Sequence, residues 1–177
     1  MATLNDAAEV ARVHVATWKE AYAGILSDDF LKSISFERWL QLREENIKES
    51  NAADSGKAYL IGCDDEGAIR GFVAGGKNRS SMQGFDAELY AAYVLPSFQR
   101  QGIGNSLVLA LTDWLIGQNF NAMCCWILRD NPARQFYETV GGKRQEATRE
   151  MEIGGKKYPA VCYGWRDLRA LKSLLLF

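Results

Sequence analysis

The sequence predicts a single α/β domain: a mixed sheet with helices packed on its faces. Three observations lead there. Residues 7–50 repeat apolar side chains at helical spacing. From Lys57 onward the pattern changes to short runs rich in β-branched and aromatic residues, separated by turn residues. Those runs alternate with helical stretches in the order β-β-β-α-β-α-β-β, which fits helices covering a mixed sheet. The 177 residues are 47% hydrophobic and 24% charged, an ordinary globular composition. A chain of this length buries roughly 70% of the surface it exposes when unfolded, so one domain over residues 1–177 is the simplest organisation.

Asn5 or Asp6 caps a first helix running to about Ala23, with Glu9 favouring the positive end of its dipole. Val10, Val13, Ala16, Thr17 and Ala21 form its apolar stripe, and Gly24 stops it. A second helix starts near Ser27 or Asp28, and a third spans about Phe36 to Glu49. Asn51 to Gly56 is a loop by composition. Lys57–Cys63 and Ile69–Gly76 read as strands joined by the turn Asp64-Asp65-Glu66-Gly67. A third strand, Phe85–Leu95, ends at Pro96, which has no N–H for a ladder. Ile103–Gly117 is a helix, and Ala122–Leu128 is a short apolar strand buried on both faces. Asn131–Val140 is a short helix closed by Gly141-Gly142. Lys143–Ile153 and Lys157–Tyr163 form a last hairpin around Gly154-Gly155, and an apolar tail, Leu171 to Phe177, follows.

Charge and composition exclude several functions. Lys plus Arg total 21 against 22 for Asp plus Glu, so nothing favours nucleic acid or an anionic membrane. No apolar run reaches the roughly 20 residues that span a bilayer, and Met1 to Asp6 lacks the features of a signal peptide. Cysteines 63, 124, 125 and 162 contain no C-x-x-C pair, which argues against zinc or a redox dithiol. Reduced, buried thiols imply a cytoplasmic protein. His14 is the single histidine, so no multi-histidine metal site exists within the chain, and no metal is expected. On its amphipathic helix, His14 is read as a packing residue.

The segment Gln99-Arg100-Gln101-Gly102-Ile103-Gly104 carries the functional signal. It follows a strand and opens a helix, where about four backbone N–H groups lack partners and the helix dipole is positive. Glycines there let a phosphate approach the backbone, and Arg100 adds positive charge. The dinucleotide fingerprint needs a glycine or alanine where Leu107 stands, and the P-loop needs Gly-Lys-Ser/Thr; neither is present.

Two motifs resemble those of the GNAT superfamily of acetyl-CoA-dependent N-acetyltransferases. Gln99, Gly102 and Gly104, within Glu88 to Asn105, match its Q/R-x-x-G-x-G/A pattern, and Asn131, Phe136, Tyr137, Gly141 and Gly142 match its second motif. The resemblance is strongest over residues 57–166; residues 5–50 match in kind, as the helical side that receives the acceptor. It implies a GNAT-like, mostly antiparallel sheet whose central strands splay to form the cofactor cleft. Main-chain groups of Ala92, Tyr93 and Val94 would then meet the pantetheine arm, with the N–H near Ala92 polarising the thioester oxygen. Gln101, Gly102, Ile103, Gly104 and Asn105 would hold the pyrophosphate, with Gln99 and Arg100 also cofactor-binding, and Asn131 would reach the arm from the other side.

The same resemblance assigns Tyr137 as general acid for the departing sulfur and Glu88 as general base for the amine. Period-2 alternation places Glu88, Tyr90, Ala92 and Val94 on one face. The expected activity is transfer of acetyl from acetyl-CoA to a primary amine of a small molecule or peptide; a non-catalytic acyl-CoA sensor of the same fold is the alternative. Trp18, Tyr22, Trp39 and His14 lie where relatives bind acceptors, although aromatics at helical spacing more often belong to a core. The resemblance also allows a homodimer, for which the apolar tail is the local hint. Members usually open with a strand, and here only about four residues precede the first helix, so that strand is short or missing.

Overall fold

A computed structural model describes residues 1–176. Thr3 and Asp6 open the chain with a local clasp: the Asp6 carboxylate accepts the Thr3 N–H at 2.7 Å and its hydroxyl at 2.9 Å. Helix α1 (Ala7–Ala21) follows and buries Val10, Val13, His14 and Thr17 along one stripe. The short α2 (Asp28–Ser33) leads to α3 (Phe36–Ser50). Ser35 caps α3 by accepting the Arg38 N–H at 3.2 Å. Helix α3 turns Arg43 and Ile47 inward, and α1 and α3 lie together on one face of the sheet.

The strands are β1 (Lys57–Cys63), β2 (Ile69–Lys77), β3 (Ala87–Val94), β4 (Met123–Leu128), β5 (Lys143–Ile153) and β6 (Lys156–Trp165). They form one sheet in the order β1-β2-β3-β4-β6-β5, antiparallel at every pairing except β3 with β4. That parallel pair needs a crossover, which α4 (Ile103–Gly117) supplies on the face opposite α1 and α3. The main core lies under α4, where Val108, Leu111 and Leu115 meet Val73, Leu89, Met123 and Val161. Burying each such aliphatic side chain contributes about 2 kcal/mol. Close approach matters at Gly75, where a Cβ would come within 2.8 Å of Leu111 Cδ2.

Helix α5 (Arg134–Thr139) and helix α6 (Leu168–Leu175) complete the α4 face. The tail is therefore a helix over most of its length. Asp167 Oδ1 caps it, accepting N–H bonds from Arg169 and Ala170 at 2.9 and 3.0 Å, while Leu168 and Leu171 enter the main core. Phe177 lies outside the described residues. The expected helix from Asn131 begins instead at Arg134. Asn131 Oδ1 accepts the Ala133 N–H at 2.8 Å, spending the first residues on a turn around Pro132. The opening strand is reduced to a single sheet bond, from the Ala2 N–H to the Tyr59 carbonyl at 2.7 Å.

Candidate active site

The sheet parts at its centre. Strands β3 and β4 pair only at Ala87↔Met123, Glu88↔Cys124 and Leu89↔Cys125. Beyond Leu89 the edge of β3 that faces β4 has no strand beside it, as the splayed-strand expectation requires. A bulge sits at the parting point: Ala74 pairs with Ala91 and Gly75 with Leu89, leaving Tyr90 without an opposite residue. The bulge overturns the expectation that Glu88, Tyr90, Ala92 and Val94 share a face. Tyr90, Ala91 and Tyr93 pack toward α1 and α3, whereas Leu89, Ala92 and Val94 pack toward α4. Glu88 therefore shares a face with Tyr90 and not with Ala92.

At the mouth of the gap stands the glycine turn. Gly102 has φ +87° and open space where a Cβ would project. Gly104 serves packing: a Cβ there would lie 3.1 Å from the Phe136 ring. The backbone N–H groups of Gln101, Gly102, Ile103, Gly104 and Asn105 have no protein acceptor among the described residues; the first bonded amide is Ser106, on the Gly102 carbonyl. Arg100, at φ +62°, is exposed and has no ion pair among the described residues. These groups fit a pyrophosphate, because adjacent free amides at a helix start attract anions. Gln99 braces the turn. Its Nε2 donates to the Val94 carbonyl at 3.1 Å, tying the turn to the end of β3 and engaging a main-chain oxygen assigned to the pantetheine arm. Gln101 Nε2 braces the loop in the same way on the Ser97 carbonyl at 3.1 Å.

Across the gap, α5 presents Tyr137. Its ring is buried and edge-on to Trp165. Burial, and then the nearby Cys125 thiol and the Tyr93 and Tyr22 hydroxyls, push its ionisation well above the ordinary tyrosine range. The Tyr137 hydroxyl is therefore protonated at neutral pH and can donate. Tyr22 lies on the α1 face, and burial raises its pKa above the ordinary tyrosine value against smaller opposing effects of Tyr93 and Asn131. Asn131 is buried, with its Oδ1 committed to the turn before α5.

Glu88 is almost wholly buried, and the loop after β2 wraps around its carboxylate. Oε2 accepts the N–H groups of Arg79 and Ser80 at 3.0 and 3.1 Å, and Oε1 faces the Arg79 guanidinium at 3.5 Å. The Arg79 guanidinium in turn lies 3.4 Å over the Tyr90 ring. Glu88 is thus an anchor of this loop, with Oε1 the less engaged oxygen.

The aromatic residues of the first helices form a packed cluster. His14 is 3% exposed and stacks on Trp39 at 3.9 Å and Trp18 at 5.3 Å. Its Nδ1 faces Arg43 Nη1 at 3.3 Å. Burial, and then the Arg43 charge, lower its pKa to about 2, so the ring is neutral. Arg43 also donates to the Tyr59 hydroxyl at 3.1 Å, and Trp18 Nε1 donates to the Tyr93 hydroxyl at 2.9 Å. Core packing is the correct reading of His14. The Trp18–Tyr93 bond, which fixes α1 to the strand beside the gap, was not legible in the sequence; no spacing rule links residues 75 positions apart.

A sheet opened at its centre beside a helix start of free amides places an anion site next to an extended-chain cleft. The chain belongs to the GNAT acetyltransferase family, whose family model, "Acetyltransferase (GNAT) family", matches residues 19–141. It is 34% identical over 174 residues to the uncharacterised N-acetyltransferase YuaI of Bacillus subtilis strain 168, covering 98% of this chain and 95% of that one. Among solved structures, the fold resembles the PaiA N-acetyltransferase of Thermoplasma acidophilum in complex with coenzyme A. That match has a TM-score of 0.67 at 18% identity, covering 90% of this chain and 94% of the other. It also resembles yncA of Salmonella typhimurium, solved with acetyl-CoA, with a TM-score of 0.63 at 18% identity and coverage of 94% and 91%. The chain is therefore an acyl-CoA-dependent N-acetyltransferase with acetyl-CoA as cosubstrate. No helix among the described residues is long and apolar enough to cross a membrane.

Proposed function

We propose that the protein moves the acetyl group of acetyl-CoA onto a primary amine of a small molecule or peptide by direct attack. One observation carries this reading: the unpartnered amides of Gln101 to Asn105 open beside the unpaired edge of β3, so a phosphate site and an extended-chain site adjoin. Acetyl-CoA supplies an activated thioester. The amides of Gln101 to Asn105, with Arg100, hold its pyrophosphate. Main-chain groups of Ala92, Tyr93 and Val94 align the pantetheine arm, and an N–H near Ala92 faces the acyl oxygen. Asn131 closes on the arm from the α5 side. The Tyr137 hydroxyl, kept protonated by burial, gives its proton to the departing sulfur. Glu88 takes the amine proton through water at Oε1, the oxygen left with the longer contact.

Thermal unfolding with acetyl-CoA tests the cofactor half. Millimolar acetyl-CoA should raise Tm by several degrees, since a ligand at 100 times its Kd adds about 2.7 kcal/mol. Gly102→Asp should lose that shift, because a carboxylate would project into the open space beside the free amides and a side chain is strained at φ +87°. An unshifted wild type, or a fully stabilised Gly102→Asp, would refute the placement. Release of free CoA across an amine panel tests the acceptor half.

A further inference from the structure

Beside the gap, on the face that carries Glu88, lies a small site that the transfer chemistry above does not use. It is built on the buried cluster of Cys124 and Trp126 of β4 with Cys162 of β6; Trp126 and Cys162 are paired across the two strands. From β5, Arg149 lays its guanidinium 4.3 Å above the Trp126 ring. Arg149 Nε and Trp126 Nε1 are both buried and have no hydrogen-bond partner among the described residues. Arg149 also has no ion pair there, whereas the partly buried Arg70 has Asp64, and Arg79 has Glu88. The buried Arg43 likewise lacks a carboxylate, but Tyr59 and His14 engage it within the core.

An unpaired, partly desolvated cation is costly to hold, and stacking on an aromatic ring fixes its plane while leaving the donor fork free. That fork matches a carboxylate, which it binds through two parallel hydrogen bonds. The location fits an acceptor. Trp126 is the first β4 residue past the last β3 pairing, Leu89↔Cys125, so the guanidinium stands at the edge of the gap. Cys124 is paired with Glu88 across β3 and β4, and Trp126, two residues further along the same face of β4, carries Arg149. The cation and the proposed base thus stand on one face of neighbouring strands.

We propose that Arg149, braced by Trp126, binds the carboxylate of the acceptor, and that the acceptors are free amino acids. This deepens the acetyl-transfer reading and rests on it. The neutral amine nitrogen bonds to the acetyl carbon, the carbon–sulfur bond breaks, one amine proton leaves toward Glu88, and the sulfur takes the Tyr137 proton. Trp126 Nε1 offers a second donor beside the carboxylate.

The test compares amino acids with their decarboxylated counterparts, measured as CoA release by wild type, Arg149→Met and Arg149→Lys at saturating acetyl-CoA. The wild type should favour at least one amino acid over its amine about tenfold or more in kcat/KM. Arg149→Met should raise KM for that amino acid at least about tenfold, with a smaller change in kcat and little effect on the amine; Arg149→Lys should recover part of the loss. Thermal stabilisation by acetyl-CoA should be equal in all three. If Arg149→Met does not fold, the KM shift of Arg149→Lys, confined to the carboxylate-bearing partner, decides. With acetyl-CoA stabilisation intact, three results overturn the assignment of Arg149: no amino acid turned over, amines preferred, or both acceptors weakened equally. Failure of acetyl-CoA to stabilise the wild type would instead sink the transfer reading, and this inference with it.

Discussion

The acid role proposed for Tyr137 depends on its surroundings. A free tyrosine near pKa 10 is already a weak acid at neutral pH, and burial beside Cys125, Tyr93 and Tyr22 makes its proton still harder to lose to solvent. Such a group serves as an acid by hydrogen-bonding to the sulfur as the carbon–sulfur bond breaks, the proton following only as negative charge builds there. Tyr137→Phe keeps the ring that packs on Trp165 and removes only the proton. The variant should lose about 100-fold in kcat. Its acetyl-CoA affinity should stay within about twofold of wild type, because a contact made only in the transition state does not contribute to ground-state binding. Unchanged single-turnover rates would remove Tyr137 from the acid role. Glu88 is the contrasting case, a residue whose strand position suggested chemistry and whose bonds to Arg79 and Ser80 also give it a loop to hold.

At the scale of elements, the regular parts were readable and the irregular ones were not. Helix α4 and strands β1 and β5 have the predicted bounds, because their apolar spacing and flanking turn residues agree. The bulge at Tyr90 escaped, since the run Tyr90-Ala91-Ala92-Tyr93 alternates equally well in either register and only pairing with β2 chooses. Its consequence for the site is direct, for it separates Glu88 from Ala92. The unpartnered state of Arg149 was equally hidden, because a sequence shows a cation but not the lack of a carboxylate near it. Helix α6 was missed for another reason: Asp167 as a cap and the spacing of Leu168, Leu171 and Leu175 were visible, but the run read as an apolar tail. Leu171 is 3% exposed, so Leu171→Ala should cost about 3 kcal/mol. Urea unfolding would register this as a lower midpoint; a midpoint matching wild type would mean that α6 is not part of the folded core.

For the whole molecule, His14 links packing to pH. The folded chain holds it neutral with a pKa of about 2, while an unfolded chain offers the ordinary value near 6.5. The folded value is the lower, so unfolding takes up a proton at any pH between the two. Stability from this residue is complete above pH 6.5 and declines as the pH falls toward 2, by about 1.4 kcal/mol for each pH unit within that window. Wild type should therefore lose more stability between about pH 6 and about pH 5 than His14→Gln, by about 1 kcal/mol, in chemical unfolding at both values. Parallel pH dependence in the two proteins would refute the neutral, buried His14.

The parting of β3 from β4 also divides a single strand into two exchange regimes. Residues Ala87 to Leu89 have a strand on each side, whereas from Tyr90 onward only β2 remains. The amides of Tyr90 to Val94 that turn away from β2 should exchange their hydrogens with solvent much faster than their neighbours three residues earlier. In the proposed placement along that edge, acetyl-CoA should slow them. Hydrogen exchange read amide by amide would then trace the path of the cofactor without a bound structure, and uniform protection along β3 before ligand is added would contradict the open edge.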